Sequence, residues 1–514
     1  MNIKALAYVS ACLVLGQSIF LVTFGSRFYA RWALAWLSLT AVAFLVPDFS
    51  AVIFVIILLS AWSNRDRIQG PLAHYCMILP AYPASITYEV PGLLPGIKQF
   101  ITLNYTRVLS LILLLPCAYR MWMSRHDSRE LFKNKIDPLV CLYVMYLSSI
   151  GFRDYTITGA VRNAIHVFLD IGIPYFVLSR GLRCLDDFKR VFLGILYSAV
   201  LLGTVGVFES GKSWLLYRHM AVSESSFNSS YLVRAGLIRI EGPFYQPIPF
   251  GFFLVLGLAS LIFLARYAWD KKTFLLAAGL IIGITGVLTV TRMTWTGMGL
   301  IAVLWGTVEN PHRRLKFIAV ALVAGVLVIP VLATLPIFHE FVDQLPFIGS
   351  SEQVSVSYRE LLLEQAVEVI KETPFFGNPD WMNHPKLEKL YQHRVLGLFI
   401  DIVNSYLQIA LPLGLVGAGL FLGVQISAAF AVWIGIRGAR LRRDEDWTHL
   451  GRILFACNLT IIFMLTTTSS ISSIPNYTWL ILALCSAYAT ISSKLPRVPT
   501  GHEPVVNDGR IMGR

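Results

Sequence analysis

Apolar runs of about 15 to 22 residues recur from one end of the chain to the other, each near the ~20 residues a helix needs to cross a bilayer core. They predict helices over 5–24, 32–46, 49–63, 104–120, 137–151, 160–179, 189–208, 248–267, 273–290, 294–309, 316–335, 404–434, 451–469 and 474–493. The polar stretches among the later spans are short, apart from 209–247 and 336–403. Pro47-Asp48 marks a tight turn between two early spans. The pattern predicts an all-α, polytopic transmembrane helix bundle of roughly 12–14 spans with a long periplasmic loop carrying amphipathic helices. It divides the chain into N-terminal transmembrane helices (1–230), a transmembrane core (231–335), the loop (336–403), C-terminal transmembrane helices (404–493) and a polar cytoplasmic tail (494–514) expected to be disordered.

Composition agrees with that reading. Of the 514 residues, 56% are hydrophobic and only 14% charged, whereas a soluble chain carries about a quarter charged residues. The net charge of +13 does not call for nucleic acid, because Lys and Arg concentrate in short stretches between spans, at 120–135, 180–190, 266–272, 309–316 and 437–452. The positive-inside rule assigns those stretches to the cytoplasm, with both termini on that side and the two long loops on the other. The start, MNIKALAYVSACLVLGQSIF, has signal-peptide character, and the many later spans make it an uncleaved first span. Seven scattered cysteines show no metal-like spacing. Gly279/Gly283 and Gly419/Gly423 are GxxxG pairs, whose ordinary meaning is close helix packing. Trp214, Tyr217, Trp381 and Tyr477 lie near span ends, as interface belts do.

The candidate chemistry falls on the side opposite the basic stretches. Loop 336–403 is longer than a connector needs. Its SVSYRELLLEQAVEVIKETPFFG reads as an amphipathic helix, with Ser357 and Glu360 in capping-box spacing and Arg359 in the first turn. Arg292, in TVTRMTWTG, lies at the junction of two spans, and RAGLIRIEGPFYQPIPFGFF offers Arg234, Arg239 and Glu241. In DIVNSYLQIALPLGLVG, Asp401 and Asn404 share a helical face ahead of Tyr406, and helix capping competes with function there. Guanidinium groups bind phosphate in a bidentate way and stabilise charge developing on a leaving diphosphate, while a carboxylate deprotonates an incoming hydroxyl. That suggests glycosyl transfer from a lipid diphosphate. No HExxH and no Cys/His cluster is present, and no metal or cofactor is expected.

Over residues 230–435 these motifs, in order, resemble the O-antigen ligase and Wzy-type polysaccharide polymerase superfamily, bacterial inner-membrane enzymes of GT-C-like helical architecture. NSYLQIALPLGLVG resembles the family's HNxYL…GLxG return to the membrane. The resemblance implies that Arg292 and Arg359 bind the undecaprenyl diphosphate of the donor. It also implies a periplasmic site and partners that include lipid-linked donor and acceptor glycans, membrane lipid, a chain-length regulator and a flippase. Ligases place a functional His just before the Asn, where this chain has Val403. Asp401 is the replacement base, with His393 and Glu360 as alternatives. An Asp near this point is more like the polymerases, and the 234–253 segment adds Arg239. The expected activity is therefore polymerisation of undecaprenyl-diphosphate-linked repeat units into exopolysaccharide or O-antigen. The alternatives are a ligase acting on lipid A core and a lipid-linked glycan flippase. A transporter would show repeated halves and broken helices at mid-membrane, which this chain does not.

Overall fold

The computed structural model describes residues 3–24, 27–46, 49–63, 69–83, 86–92, 99–123, 134–220, 233–234, 237–309, 352–387, 394–395, 399–400 and 402–495. Within them every predicted apolar run is a helix, and run 316–335 lies outside. The helices are α1 (Ile3–Phe24), α2 (Arg27–Leu45), α3 (Phe49–Ser63), α4 (Gln69–Ile78), α5 (105–123), α6 (Ile136–Asp154), α7 (Ile157–Gly181) and α8 (Leu185–Lys212). They continue as α9 (Pro247–Ala265), α10 (Lys272–Leu288), α11 (Arg292–Glu309), α12 (Glu352–Glu372), α13 (Ser405–Leu441), α14 (Glu445–Thr466) and α15 (Ile474–Lys494). Eight of these are long and apolar enough to cross a membrane, and the chain is a multi-pass helix bundle. A hairpin of β1 (Thr87–Pro91) and β2 (Gln99–Asn104) precedes α5.

The organising element is α8, whose length is mostly buried. Its small residues let neighbours approach: a Cβ at Gly194 would meet the Ala73 carbonyl at 2.9 Å, and one at Gly203 the Ile281 side chain at 2.5 Å. Ser198 donates to the Met77 carbonyl, and Thr204 Oγ1 to the Cys12 carbonyl at 2.8 Å. Of the GxxxG glycines, Gly279 makes only an ordinary contact, Leu261 at 3.4 Å from its Cβ position. Among the described residues nothing lies within 4 Å of a Cβ placed on Gly283, Gly419 or Gly423. Charged pairs tie other helices together. Arg107 on α5 grips Asp170 on α7 through Nε and a terminal nitrogen, and buried Arg180 on α7 pairs with Asp137 on α6.

Helix directions correct the expected topology. Tyr8 stacks on Phe208 (5.0 Å) and meets Trp214 (5.7 Å), while Phe20 meets Tyr197 (4.8 Å) and Phe24 meets Phe274 (5.0 Å). So α1 runs antiparallel to α8, and its Ile3 end lies beside Lys212. At the other terminus, Tyr477 meets Phe253 (5.2 Å) near the start of α9, and Tyr488 meets Trp447 (5.7 Å) in the first turn of α14. Lys494 therefore lies at the opposite end, with the basic stretches. Ile3 and Lys494 thus lie at opposite ends of the bundle, against the expectation that both ends of the chain share a side. The cause is α4, which the hydropathy pattern missed. It has only ten helical residues, and Pro71, Pro80 and Pro83 punctuate its surroundings. Buried against α8, it adds one passage between α3 and α5. We call the two ends the basic end and the loop end.

Candidate functional site

The loop end is built around a buried carboxylate. Glu209, near the end of α8, accepts the backbone N–H groups of Leu216 (3.0 Å), Gly242 (3.1 Å) and Glu241 (3.3 Å). One side chain thus satisfies three amides that a loop would otherwise leave orphaned. The segment it pins carries Arg239 and Glu241, each 1% exposed. Gly242 (φ 49°) supplies a left-handed backbone that a glycine adopts freely. Arg218 donates through Nε to Glu241 Oε1 at 3.2 Å, whereas Glu241 Oε2 is buried with no hydrogen-bond partner among the described residues. Burial pushes the Glu241 carboxyl up to about 7, with Arg218 and then Arg239 opposing the rise. The buried hydroxyls of Tyr217 and Tyr245 face the same carboxylates and are pushed upward, chiefly by burial.

The same segment reaches the Arg292 junction. Arg239 Nε donates to the Thr289 carbonyl at 3.4 Å, three residues before Arg292 begins α11. Between them Val290 has φ 47°, a left-handed conformation that is strained for a β-branched residue. Buried threonines hold it. Thr289 Oγ1 donates to the Gly286 carbonyl and lies 2.8 Å from Thr291 Oγ1, which contacts Thr294 in turn. Helix α9 packs on this knot through Gly251, where a Cβ would overlap the Thr294 hydroxyl. Arg292 itself is half-buried.

The stretch beginning at Asp401 has a structural answer. Asn404 caps α13, accepting from Tyr406 N (2.9 Å) and Leu407 N (3.1 Å). Buried Ser405 donates to the Thr468 carbonyl (2.7 Å), and Gln408 Oε1 accepts from Ser470 N (2.6 Å). The polar turn before α15 is therefore packed against the start of α13. Tyr406 donates to Gln425 Oε1 at 2.6 Å. Two turns on, Pro412 and Gly414 (φ 68°, ψ −176°) break the helix. There the loop docks backbone to backbone: Asn378 N donates to the Leu411 carbonyl (2.8 Å) and Leu415 N to the Pro374 carbonyl (2.7 Å). Arg153 completes the clasp, donating to the carbonyls of Phe376, Gly377 (3.2 Å) and Pro412 (2.9 Å).

Helix α12 lays Leu362, Ala366 and Val369 on Trp381, Leu387, Ile402 and Leu411. Its polar side pairs Glu368 with Lys371 (2.7 Å) and Lys386 (3.3 Å), and Glu372 with Lys386 (3.0 Å) and His384 (2.9 Å). These hydrogen bonds lower both carboxyls. The helix begins at Glu352, so Arg359 is two turns in, and the expected capping box at Ser357 and first-turn placement of Arg359 are incorrect. The sequence before it, Ser351 followed by Glu352, offers its own cap residue and first-turn acid, six positions ahead of Ser357. Arg359 and Glu360 are both exposed. The aromatic-belt reading also fails at three of its residues, because Tyr217, Trp381 and Tyr477 are buried within the protein.

Of the candidates, Arg239 reaches the Arg292 junction, Glu241 lies on the same segment paired with Arg218, Asn404 and Tyr406 belong to the start of α13, and Arg359 and Glu360 stand on α12. Arg234 is described only in its backbone, in a two-residue strand, while Asp401 and His393 lie outside the described residues. Sequence reasoning missed Glu209, Arg218 and Arg153. A lone acid ending an apolar run was the available signal for Glu209.

Residues 275–422 match the O-antigen ligase family model, which spans α10, α11, the loop and the first part of α13. No curated protein matches the chain.

Proposed function

We propose that this multi-pass membrane protein, with its O-antigen ligase segment at 275–422, polymerises lipid-diphosphate-linked oligosaccharide repeat units. The observation that carries the reading is the contact of Arg239 with the Arg292 junction, at 3.4 Å to the Thr289 carbonyl, with Glu241 on the same buried segment. Arginines to hold the diphosphate and a carboxylate to accept a proton, gathered at one end of a bundle, are what a metal-independent transfer from a diphosphate asks for. An acceptor hydroxyl attacks the anomeric carbon, the bond from that carbon to the diphosphate oxygen breaks, and the hydroxyl proton passes to a carboxylate. Arg292 and Arg359 hold the undecaprenyl diphosphate as its charge develops. Asp401 takes the proton, with His393 and Glu360 as alternatives. Arg234, Arg239, Glu241, Asn404 and Tyr406 bind glycan or diphosphate. The loop end faces the periplasm of the inner membrane, since the basic stretches gather at the other end. A chain-length regulator and a flippase are the proposed partners. Val403 at the ligases' His position favours the polymerase over the ligase.

The test is deletion of the gene and complementation with Arg292→Ala or Arg359→Ala, followed by sizing of the polysaccharide. Single repeat units left on the carrier support the polymerase. Full-length chains unattached to lipid A core point to the ligase instead. Normal chains from both variants overturn the arginine roles.

A further inference from the structure

At the basic end, where α9 and α13 finish and α14 starts, lies a cavity of about 440 Å³. Its lining sets four guanidinium groups, those of Arg266, Arg440, Arg443 and Arg452, against one carboxylate, Glu445. The positive-inside rule accounts for an excess of cations at this end, but not for their convergence on one cavity. Hydrogen bonds shape part of the wall. Arg443 occupies a left-handed turn (φ 57°) closed by Arg443 N donating to the Arg440 carbonyl (3.0 Å) and Asp444 N to the Ala439 carbonyl (3.0 Å). Arg266 is held by Asp446 (3.0 Å) and Glu445 (2.9 Å). Buried His449 lines the inner wall, with Nε2 donating to the Phe263 carbonyl (3.2 Å) and its ring stacked on Phe263 at 5.6 Å. The first turn of α14 opens here, its amides capped by Asp444, which accepts from Trp447 N at 3.1 Å. Arg437, on the same helix end, lies outside the cavity over the Trp433 ring at 5.2 Å.

We propose that this cavity binds a phosphate group, gripped by Arg440, Arg443 and Arg452 in charge-assisted contacts. Its volume lies in the ~300–1,000 Å³ range of small-molecule sites. It stands at the far end of the bundle from Arg292 and Glu241 and does not depend on the proposed reaction. Two sources present this chemistry, the headgroup of an anionic lipid in the adjacent leaflet and a free phosphate compound.

Thermal unfolding of the full-length protein separates them. One arm uses phosphatidylcholine nanodiscs with increasing phosphatidylglycerol, the other inorganic pyrophosphate in detergent. Wild type is expected to show saturable stabilisation in one arm. Arg443→Gln is expected to weaken the apparent affinity about tenfold, the scale of one charge-assisted contact, and Arg437→Gln to leave it unchanged. Arg440→Gln serves as the second cavity variant should Arg443→Gln fail to fold. A response to phosphatidylglycerol alone assigns the lipid headgroup, and a response to pyrophosphate alone the free compound. Stabilisation in neither arm, or equal weakening by Arg437→Gln and the cavity variants, overturns the proposal.

Discussion

Glu241 has one carboxylate oxygen on Arg218 and the other buried without a described partner. With its carboxyl raised from 4.5 to about 7, it changes charge near neutral pH. The folded chain holds this proton more tightly than the unfolded chain does. Its contribution therefore favours folding fully below about 4.5 and is lost as pH rises through about 7. If Glu241 binds its ligand as a carboxylate, activity should rise with pH across that window. Glu241→Gln should then flatten the rise and cut activity by ~10-fold or more, the scale of one lost charge-assisted hydrogen bond. Polymer yield against pH, in wild type and variant, reads both outcomes. The sequence made Arg239 and Glu241 visible as charges beside a span. It did not make visible the fold that buries them, because Glu209 is joined to them only through backbone amides thirty residues away, and no local pattern encodes such a contact.

At the scale of elements, two kinds of glycine were equally conspicuous in the sequence and have opposite meanings in the structure. Gly414 sits in a conformation essentially reserved for glycine, and a Cβ there would overlap the Phe375 carbonyl. Gly414→Ala should cost at least ~2 kcal/mol and open the clasp. Arg153→Ala, which strips three carbonyls of their donor, should cost ~1 kcal/mol, the lower end because the guanidinium is partly exposed. Thermal unfolding in detergent measures both. Gly203→Ala should destabilise through its contact with Ile281, whereas Gly423→Ala should be silent, since nothing lies near its Cβ position. Equal loss in both would contradict the packing described for α8. The GxxxG spacing announced a helix face but not which helix would meet it. The Asn404 cap was legible in DIVNSYLQIALPLGLVG, whereas the expected span 404–434 ran unbroken across Pro412 and Gly414. That the break receives the loop was not legible either, since its partners lie as far off as Arg153.

For the whole molecule, hydropathy located the long spans and failed at α4, with a consequence far larger than ten residues. A missed passage reverses every element before it. With α4 in place, α1 starts at the loop end, α2 starts at the basic end, and Arg31 joins the other cations there. The reversal brings Arg27 and Arg31 to the basic end and takes Lys4 away from it, a gain of one cation among these three for the positive-inside rule. It also makes a prediction that the uncorrected count contradicts. Cys184 is exposed at the basic end and provides an internal reference, while the membrane-embedded cysteines are mostly buried. On the proposed orientation, with the loop end in the periplasm, single cysteines placed at Lys4 and Ser213, both exposed, in a Cys184→Ser background should react with an impermeant maleimide in cells with a permeabilised outer membrane. Lys494→Cys, and Cys184 in the native chain, should react only after the inner membrane is opened. If Lys4→Cys is protected together with Lys494→Cys, α1 does not lie antiparallel to α8. The ring contacts of Tyr8 with Phe208 and Trp214 would then have to be abandoned along with the position of α4, because the two stand or fall on the same parity.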